Sequence, residues 1–331
     1  SRAQYGPRLR ALVTYLTQQQ LLPYGRVRDL LADVLGLAVS VGTLVGVVQR
    51  GAQAVATTTA AIRARLAGEP VQHHDETGAR VQGRLHWLHV QSSARYTAYA
   101  LHALHAQRGG AAMAAVDQPE FTGVHVHDGW AAYRRLAGRH ALCNVHHLRE
   151  LTYLAEEEQQ AWATDLKHLL QAMKTAVAQA RAAGQTQLPE ADRRAWHARY
   201  HALVVAGVLA TAAPAAEPDA HPPDTLSRRR GRRKQSPARN LLGRLWAYED
   251  QVLAFLDDFT VPFDNNQAER DLRMVKVQQK VSGTFRSPAG ADAFCALRGI
   301  LSTLRKPGYA LLTALEAAFT GHPLLPQGVP E

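Results

Sequence analysis

The stretch Asp264-Asn265-Asn266-Gln267-Ala268-Glu269-Arg270 combines residue types that phosphate chemistry uses. An Asn can cap a helix and set Glu269 about one turn inside it, with Arg270, Arg273 and Lys276 following. A carboxylate there can hold a hard cation, and the basic groups can hold phosphate oxygens. Two more acids lie far upstream in strand-like segments. Asp75 sits in His73-His74-Asp75-Glu76-Thr77-Gly78, and Asp128 in Val124-His125-Val126-His127-Asp128-Gly129-Trp130. Three acids, two expected at strand ends and one on a late helix, read as a metal-dependent phosphoryl-transfer site. Such chemistry needs an in-line nucleophile, neutralisation of charge at the phosphate and a stabilised leaving oxygen, and two divalent ions roughly 3.5–4 Å apart supply all three. Magnesium prefers carboxylates and water, so an Asp–Asp–Glu set suits it. Crowded carboxylates raise one another's pKa, a cost that a bound cation removes.

Each acid also has a structural alternative. Glu269 lies three residues after Asn266 and could close a capping box, or pair with Arg273 one turn on. Asp75 could be a turn residue ahead of Thr77-Gly78, and Asp128-Gly129 a plain turn. Glu76, Asp264 and Asp271 are neighbouring acids that could stand in for the three named.

Other residues with chemical potential surround these blocks. Cys143 and His146 form a Cys-x-x-His pair after an expected strand, but zinc would need two more ligands, and a buried Cys beside a helix-start His is the alternative. Sixteen histidines include His125-x-His127-Asp128, whose two rings share a strand face, but the other segments of a metallohydrolase signature are missing. Arg270, Arg273, Lys276, Lys280 and Arg286 are either a solvated basic face or positions that hold a phosphate backbone. The run Arg228-Arg229-Arg230-Gly231-Arg232-Arg233-Lys234 carries the same two readings.

The elements that must position these groups follow from periodicity. Leu9, Leu12, Val13, Tyr15 and Leu16 form a helical stripe that Leu22-Pro23-Tyr24 breaks; Val27, Leu30, Leu31 and Val34 form a second ending at Gly36. Ser40 can cap a third with Leu44, Val47 and Val48. This outline matches a helix-turn-helix, in which Arg26, Arg28 and Arg50 would meet phosphates, or an ordinary helical hairpin. From Val71 the pattern shifts to strands: 85–90, 96–101 and 124–127, then 140–143, with a short helix at 109–116. A single long helix is expected from Leu148 to about Ala182, another over 190–209, and a further one over 241–256. Residues 211–240, rich in Pro, Ala and Arg, lack the apolar content to offset ordering entropy and read as a flexible strap.

The chain has 331 residues and a formal net charge of +10, which favours a polyanionic partner. No apolar run approaches the ~18 residues of a membrane span, so no membrane partner is expected. No secretory signal opens the sequence, and two distant cysteines give no disulfide framework, so a cytoplasmic, nucleoid-associated location is expected.

The blocks resemble the insertion sequence 66 family of bacterial DDE transposases. The resemblance rests on Asp75-Glu76-Thr77-Gly78 leading into 83–88, His127-Asp128-Gly129-Trp130, 143–150, the 264–272 block and Lys280-Val281-Ser282-Gly283-Thr284-Phe285-Arg286, in that order. Each motif is short; their number and order make the match specific. The resemblance implies DNA as partner, both element ends and target, with cleavage of the ends and strand transfer. It implies Asp75, Asp128 and Glu269 as catalytic metal ligands, with Asp75 bridging two Mg2+ (Mn2+ as substitute). Cys143, His146, Asn266, Arg270 and Arg273 would support the site, His146 touching the scissile phosphate. It also implies element-encoded accessory proteins, and coordinated cutting at two ends implies a homodimer or larger assembly on DNA. Family members usually carry a cysteine-rich zinc module ahead of the segment matched here; two cysteines cannot form a four-cysteine site, so that module is expected to be absent from this chain.

The expected fold is α/β: a ribonuclease H-like catalytic core with a helical insertion, plus an all-α N-terminal domain. The expected division is 1–66 helical; 67–147 first part of the core; 148–256 helical insertion containing the strap; 257–331 last part of the core. A ribonuclease H-like nuclease or resolvase without strand transfer, and a catalytically silent transposase-derived DNA-binding protein, are the alternatives.

Overall fold

The computed structural model describes residues 5–103, 118–211 and 235–324. The chain divides into two compact units, one formed by Ser1–His140 with Asn265–Glu331, the other by Ala141–Asp264.

The first unit is built on a mixed sheet of order β3-β2-β1-β4-β5, where β1 is Val71–Val81, β2 Arg84–Ser92, β3 Thr97–Ala103, β4 Val124–His127 and β5 Arg139–Leu142. β1 and β2 form an antiparallel hairpin closed at Val81↔Arg84. Its two turn residues, Gln82 and Gly83, have φ of 51° and 77°, the left-handed pair that a two-residue hairpin turn requires. β3 continues the meander, and β4 lies parallel to β1 on the other side. The strand carrying Asp75 is longer than the sequence suggests. It runs six residues past Asp75, because β2 pairs with it along that whole length and buries Ala79 and Val81. Asp75 is therefore a mid-strand residue, neither at a strand end nor in a turn.

Alternation along β1 sends Asp75, Thr77, Ala79 and Val81 to one face, where Leu88, Val90 and Tyr99 join them. That face packs against α11 (Asn266–Ser282) through Ala268, Leu272 and Val275, and against α12 (Pro288–Arg305) through Ala291 and Phe294. The other face carries His74, Glu76, His89, His125 and His127. It is covered by the segment following β4, through Trp130, Tyr133 and Leu136.

Four helices precede the sheet: α1 (Pro7–Thr14), continued as a π-helical turn at Tyr15–Gln19, α2 (Tyr24–Leu35), α3 (Val41–Ala54) and α4 (Ala56–Ala67). Gly36 ends α2 at φ 64°, and Ser40 caps α3 by accepting a hydrogen bond from the Thr43 N–H. Ala11, Val48, Ile62 and Leu66 share a core with Leu297, Ile300 and Leu301 of α12 and Leu315 of α13 (Leu311–Phe319). Val27, Leu31, Leu44 and Val47 make a second core between α2 and α3.

The second unit is helical, apart from the end of β5. The long helix expected over 148–182 is two helices, α5 (Asn144–Glu156) and α6 (Ala161–Ala182). The break falls on Glu156-Glu157-Glu158-Gln159-Gln160, a like-charged run with no apolar anchor, where Gln159 takes φ 51°. α7 (Glu190–Ala210) follows. The helix expected from Leu241 begins earlier, as α8 (Pro237–Ala247) with Ser236 capping the Arg239 N–H, so residues 237–240 of the expected strap are helical. Tyr248 breaks it, and two short helices, α9 (Glu249–Val252) and α10 (Ala254–Asp257), complete the run. The expected helix at 109–116 and strap residues 212–234 lie outside the described residues.

Candidate active site

Parallel pairing of β1 with β4 sets His73 opposite Val126, and Asp128, just past the end of β4, is close enough to Asp75 for its charge to raise the Asp75 pKa. Asp128 follows the last residue of β4, and its Oδ1 accepts a hydrogen bond from the Trp130 N–H at 2.8 Å. Gly129 takes φ 94° in this turn, a conformation that favours glycine. Glu269 sits in the first turn of α11, the helix packed on the face of β1 that carries Asp75. Asp75 senses the charges of the other two acids. Burial raises Asp75 from 3.8 to about 7; the Glu76 N–H, donating to its Oδ1 at 2.9 Å, works against this, the negative charges of Asp128 and Glu269 add to it, and Lys276 opposes it. Glu269 Oε1 is buried and accepts no hydrogen bond among the described residues. A buried, unpaired carboxylate oxygen next to a carboxyl held partly neutral fits a hard divalent cation, and Asp75, Asp128 and Glu269 are the residues that would hold one.

The neighbouring acids face other groups, although Glu76 Oε2, like Glu269 Oε1, is buried with no hydrogen-bond partner among the described residues. Glu76 points to the opposite face and meets the Tyr133 hydroxyl; burial first, with smaller contributions from Asp128 and Asp75, raises it to about 7 against that hydrogen bond. Asp271 accepts from Thr97 Oγ1 and Gln267 Nε2, both at 3.0 Å, and faces the mostly buried Lys306 at 3.8 Å. Asp264 is the last residue of the second unit. No capping box forms, because the helix cap is Asn265 rather than Asn266, which puts Glu269 one position too far along. Nor does Glu269 form an ion pair with Arg273 among the described residues.

Asn265 does not cap its helix with its side chain. Its Nδ2 donates to the His74 carbonyl at 2.7 Å, and its Oδ1 lies 3.0 Å from His73 Nδ1. The start of the Glu269 helix is thereby tied to the two residues immediately before Asp75. Sequence reading assigned an Asn to capping and missed this clamp; the doubling of Asn at 265 and 266, where one cap suffices, is the only signal of it.

Beneath the acids, on the far face of the sheet, the histidines form two ordered chains. A carbonyl can only accept, so the ring nitrogen facing it carries the proton. His125 Nε2 therefore donates to the Ala137 carbonyl (3.1 Å), and its Nδ1 accepts from His74 Nε2 (2.9 Å). His140 Nε2 donates to the Leu136 carbonyl (3.0 Å), and its Nδ1 accepts from His127 Nε2 (3.1 Å). His127 Nδ1 then accepts the Gly129 N–H at 3.0 Å, which fixes the turn that carries Asp128. Burial pushes His125 down to about 4, His127 to about 3 and His74 well below its ordinary value, so all three are neutral as these bonds require. The ring nitrogens of His125 and His127 are thus taken up by protein groups, in keeping with the missing metallohydrolase segments.

The family model for the IS66 transposases matches residues 2–293, most of the chain and all three acids. The chain belongs to the IS66 family of transposases. No curated protein matches it. In this transposase Arg270, Arg273, Lys276, Lys280 and Arg286 are all exposed, and Arg270 folds back on its own helix to the Asn266 carbonyl and Gln267 Oε1. Arg26, Arg28 and Arg50 are exposed on α2 and α3, with Arg28 paired to Asp29 at 2.7 Å. The run from Arg228 to Lys234 lies outside the described residues. Within the second unit, Cys143 is buried at the cap of α5, His146 donates its backbone N–H to the Cys143 carbonyl at 3.2 Å, and the buried His146 Nδ1 has no hydrogen-bond partner among the described residues. No described helix is long and apolar enough to cross a membrane.

Proposed function

We propose that this transposase cleaves element ends and joins them to target DNA at Asp75, Asp128 and Glu269, on a ribonuclease H-like core. The observation that carries the reading is the approach of three acids from segments far apart in sequence, beside a sheet ordered 3-2-1-4-5, with one carboxylate oxygen buried and without a hydrogen-bond partner among the described residues and a second carboxyl raised to about 7. Asp75, Asp128 and Glu269 would together hold the divalent cation, Mg2+ or Mn2+, that this chemistry uses. The cation would supply charge neutralisation at the phosphate and an acidified water. Asn266, Arg270 and Arg273, around the same helix start, orient the phosphate through its non-bridging oxygens. In the first step a water oxygen attacks phosphorus, the bond to the element's 3′ oxygen breaks, and that oxygen leaves as a hydroxyl. In the second, the freed 3′ hydroxyl attacks a target phosphodiester, forms the new P–O bond and displaces the target's own 3′ oxygen. No covalent protein–DNA intermediate is required, and paired cutting of two ends calls for a dimer or larger assembly on DNA.

The test is Mg2+- or Mn2+-dependent nicking of DNA bearing the element's ends, comparing wild type with Glu269→Gln and Asp128→Asn. Nicking by the wild type alone supports the assignment. Equal nicking by the variants overturns it.

A further inference from the structure

Glu269, Arg273, Lys276 and Lys280 follow one another at four, three and four residues along α11, so they form a single stripe on that helix. The stripe runs alongside the buried face that packs on the sheet. From Glu269 to Lys280 is about 16 Å at ~1.5 Å per residue. β1 runs the same way: from Asp75 to Val81 is about 20 Å at ~3.3 Å per residue. Both elements lead to the tip of the β1–β2 hairpin. There the Gln82 N–H donates to the Phe285 carbonyl at 2.9 Å, and the Phe285 N–H to the Arg80 carbonyl at 3.0 Å. Arg84, opposite Val81 and so on the Asp75 face, and Arg286, next to Phe285, are both exposed at this tip. Arg80 is exposed too, its guanidinium held on the Gly83 carbonyl at 2.9 Å. None of Arg84, Arg273, Lys276, Lys280 and Arg286 forms an ion pair among the described residues. No acid occurs in the sequence between Glu76 and Asp117 or between Asp271 and Asp292. A solvated basic face in a globular protein is ordinarily interspersed with acids; this one is not.

We propose that the α11 stripe and the hairpin tip form one phosphate track, in which Arg84 and Arg286 grip the DNA backbone about six base pairs from the scissile phosphate. The spacing follows from about 20 Å of track at ~3.4 Å of duplex per nucleotide of one strand. The partner is the sugar–phosphate backbone of duplex DNA, held without base readout, since the track offers charge and a flat helix side rather than an element that enters a groove. The proposal rests on the reading of the three acids as the cutting site, but its test does not require cutting.

Binding of a fluorescent 30-base-pair duplex of arbitrary sequence is measured in Ca2+ buffer across a salt series. The proteins are wild type, Arg84→Gln/Arg286→Gln, Arg84→Lys/Arg286→Lys, and a control that loses the same charge on exposed α7, Arg194→Gln/Arg199→Gln. Each lost phosphate contact lowers the slope of log K against log salt by about 0.9, so the glutamine pair is expected to lower it by about 1.8 and to weaken binding roughly tenfold or more at low salt. The lysine pair is expected to keep the wild-type slope, which also excludes misfolding as the cause. A slope unchanged in the glutamine pair, or lowered equally in the α7 control, overturns the track while leaving the cutting site standing. Failure of the wild type to bind duplex DNA at all counts against the transposase reading of the site itself.

Discussion

Replacing Asp75 with Asn should stabilise the metal-free protein while abolishing its activity. The folded protein holds the Asp75 carboxyl near pH 7, whereas an unfolded chain releases its proton near 3.8. Between those values the unfolded state binds fewer protons than the folded one, so the contribution of this residue to stability falls as pH rises from about 4 to about 7 and stays low above that. At about 1.4 kcal/mol per pH unit, the ceiling is about 4 kcal/mol. Asp75 is only partly buried, and its Oδ1 accepts the Glu76 N–H, a bond an amide oxygen can also accept; about 2 kcal/mol is the reasoned gain at pH 8. The buried histidines and Glu76 also titrate, so the informative quantity is the difference between Asp75→Asn and wild type, measured by urea unfolding at pH 5 and pH 8 in EDTA. That difference should grow with pH. The same measurement with 10 mM Mn2+ should close it, because the cation stabilises only the wild type. A difference that is flat with pH, or an Asn variant less stable than wild type at pH 8, would refute the account of carboxylate crowding.

Asn265→Ala removes the two bonds that tie the start of the Glu269 helix to His73 and His74, leaving the Gln279–Gly78 bond further along; unfolding should cost about 2–3 kcal/mol less, with DNA cleavage falling by more than the folded fraction explains. His127→Phe leaves the Gly129 N–H without its acceptor, and metal affinity measured by Mn2+ titration should drop about 10-fold or more, as for other residues that orient a metal ligand, while DNA binding holds. The histidines also set an acid limit. His125 is held near 4 and an unfolded His protonates near 6.5, so the unfolded state binds more protons in between and stability falls as pH drops from about 6.5 towards 4; His125→Asn should flatten that part of the unfolding profile. Divalent cation at about 100 times its dissociation constant should add about 2.7 kcal/mol to wild-type stability and nothing to Glu269→Gln, read by thermal shift with and without EDTA.

What the sequence conveyed well was local. The caps at Ser40 and Gly36, the strand over 124–127 and the helix over 190–209 follow from side-chain chemistry within a few residues. The three acids proposed as the site stand out in the sequence because each sits in a short motif and the motifs fall in a family's order. Long-range properties were not legible. The length of β1 beyond Asp75 depends on pairing with β2 and on the core under α11. The split of α5 from α6 lies in an apolar stripe that resumes in phase after the polar run, so periodicity alone reads through it. The clamp at Asn265 joins residues almost two hundred positions apart, and the histidine chains join β1, β4 and the loop that follows, pairings that the sequence does not announce.

The most direct measurement is strand transfer from a pre-cut element end, supplied as an oligonucleotide with a free 3′ hydroxyl, into supercoiled plasmid with Mg2+. Wild-type protein should yield joined products that require the cation and the hydroxyl, and Glu269→Gln should bind the same DNA but yield none. Joined products from Glu269→Gln, or wild-type protein that nicks the end DNA with Mg2+ yet never joins it, would contradict the assignment of Asp75, Asp128 and Glu269 as the centre that cuts and joins DNA.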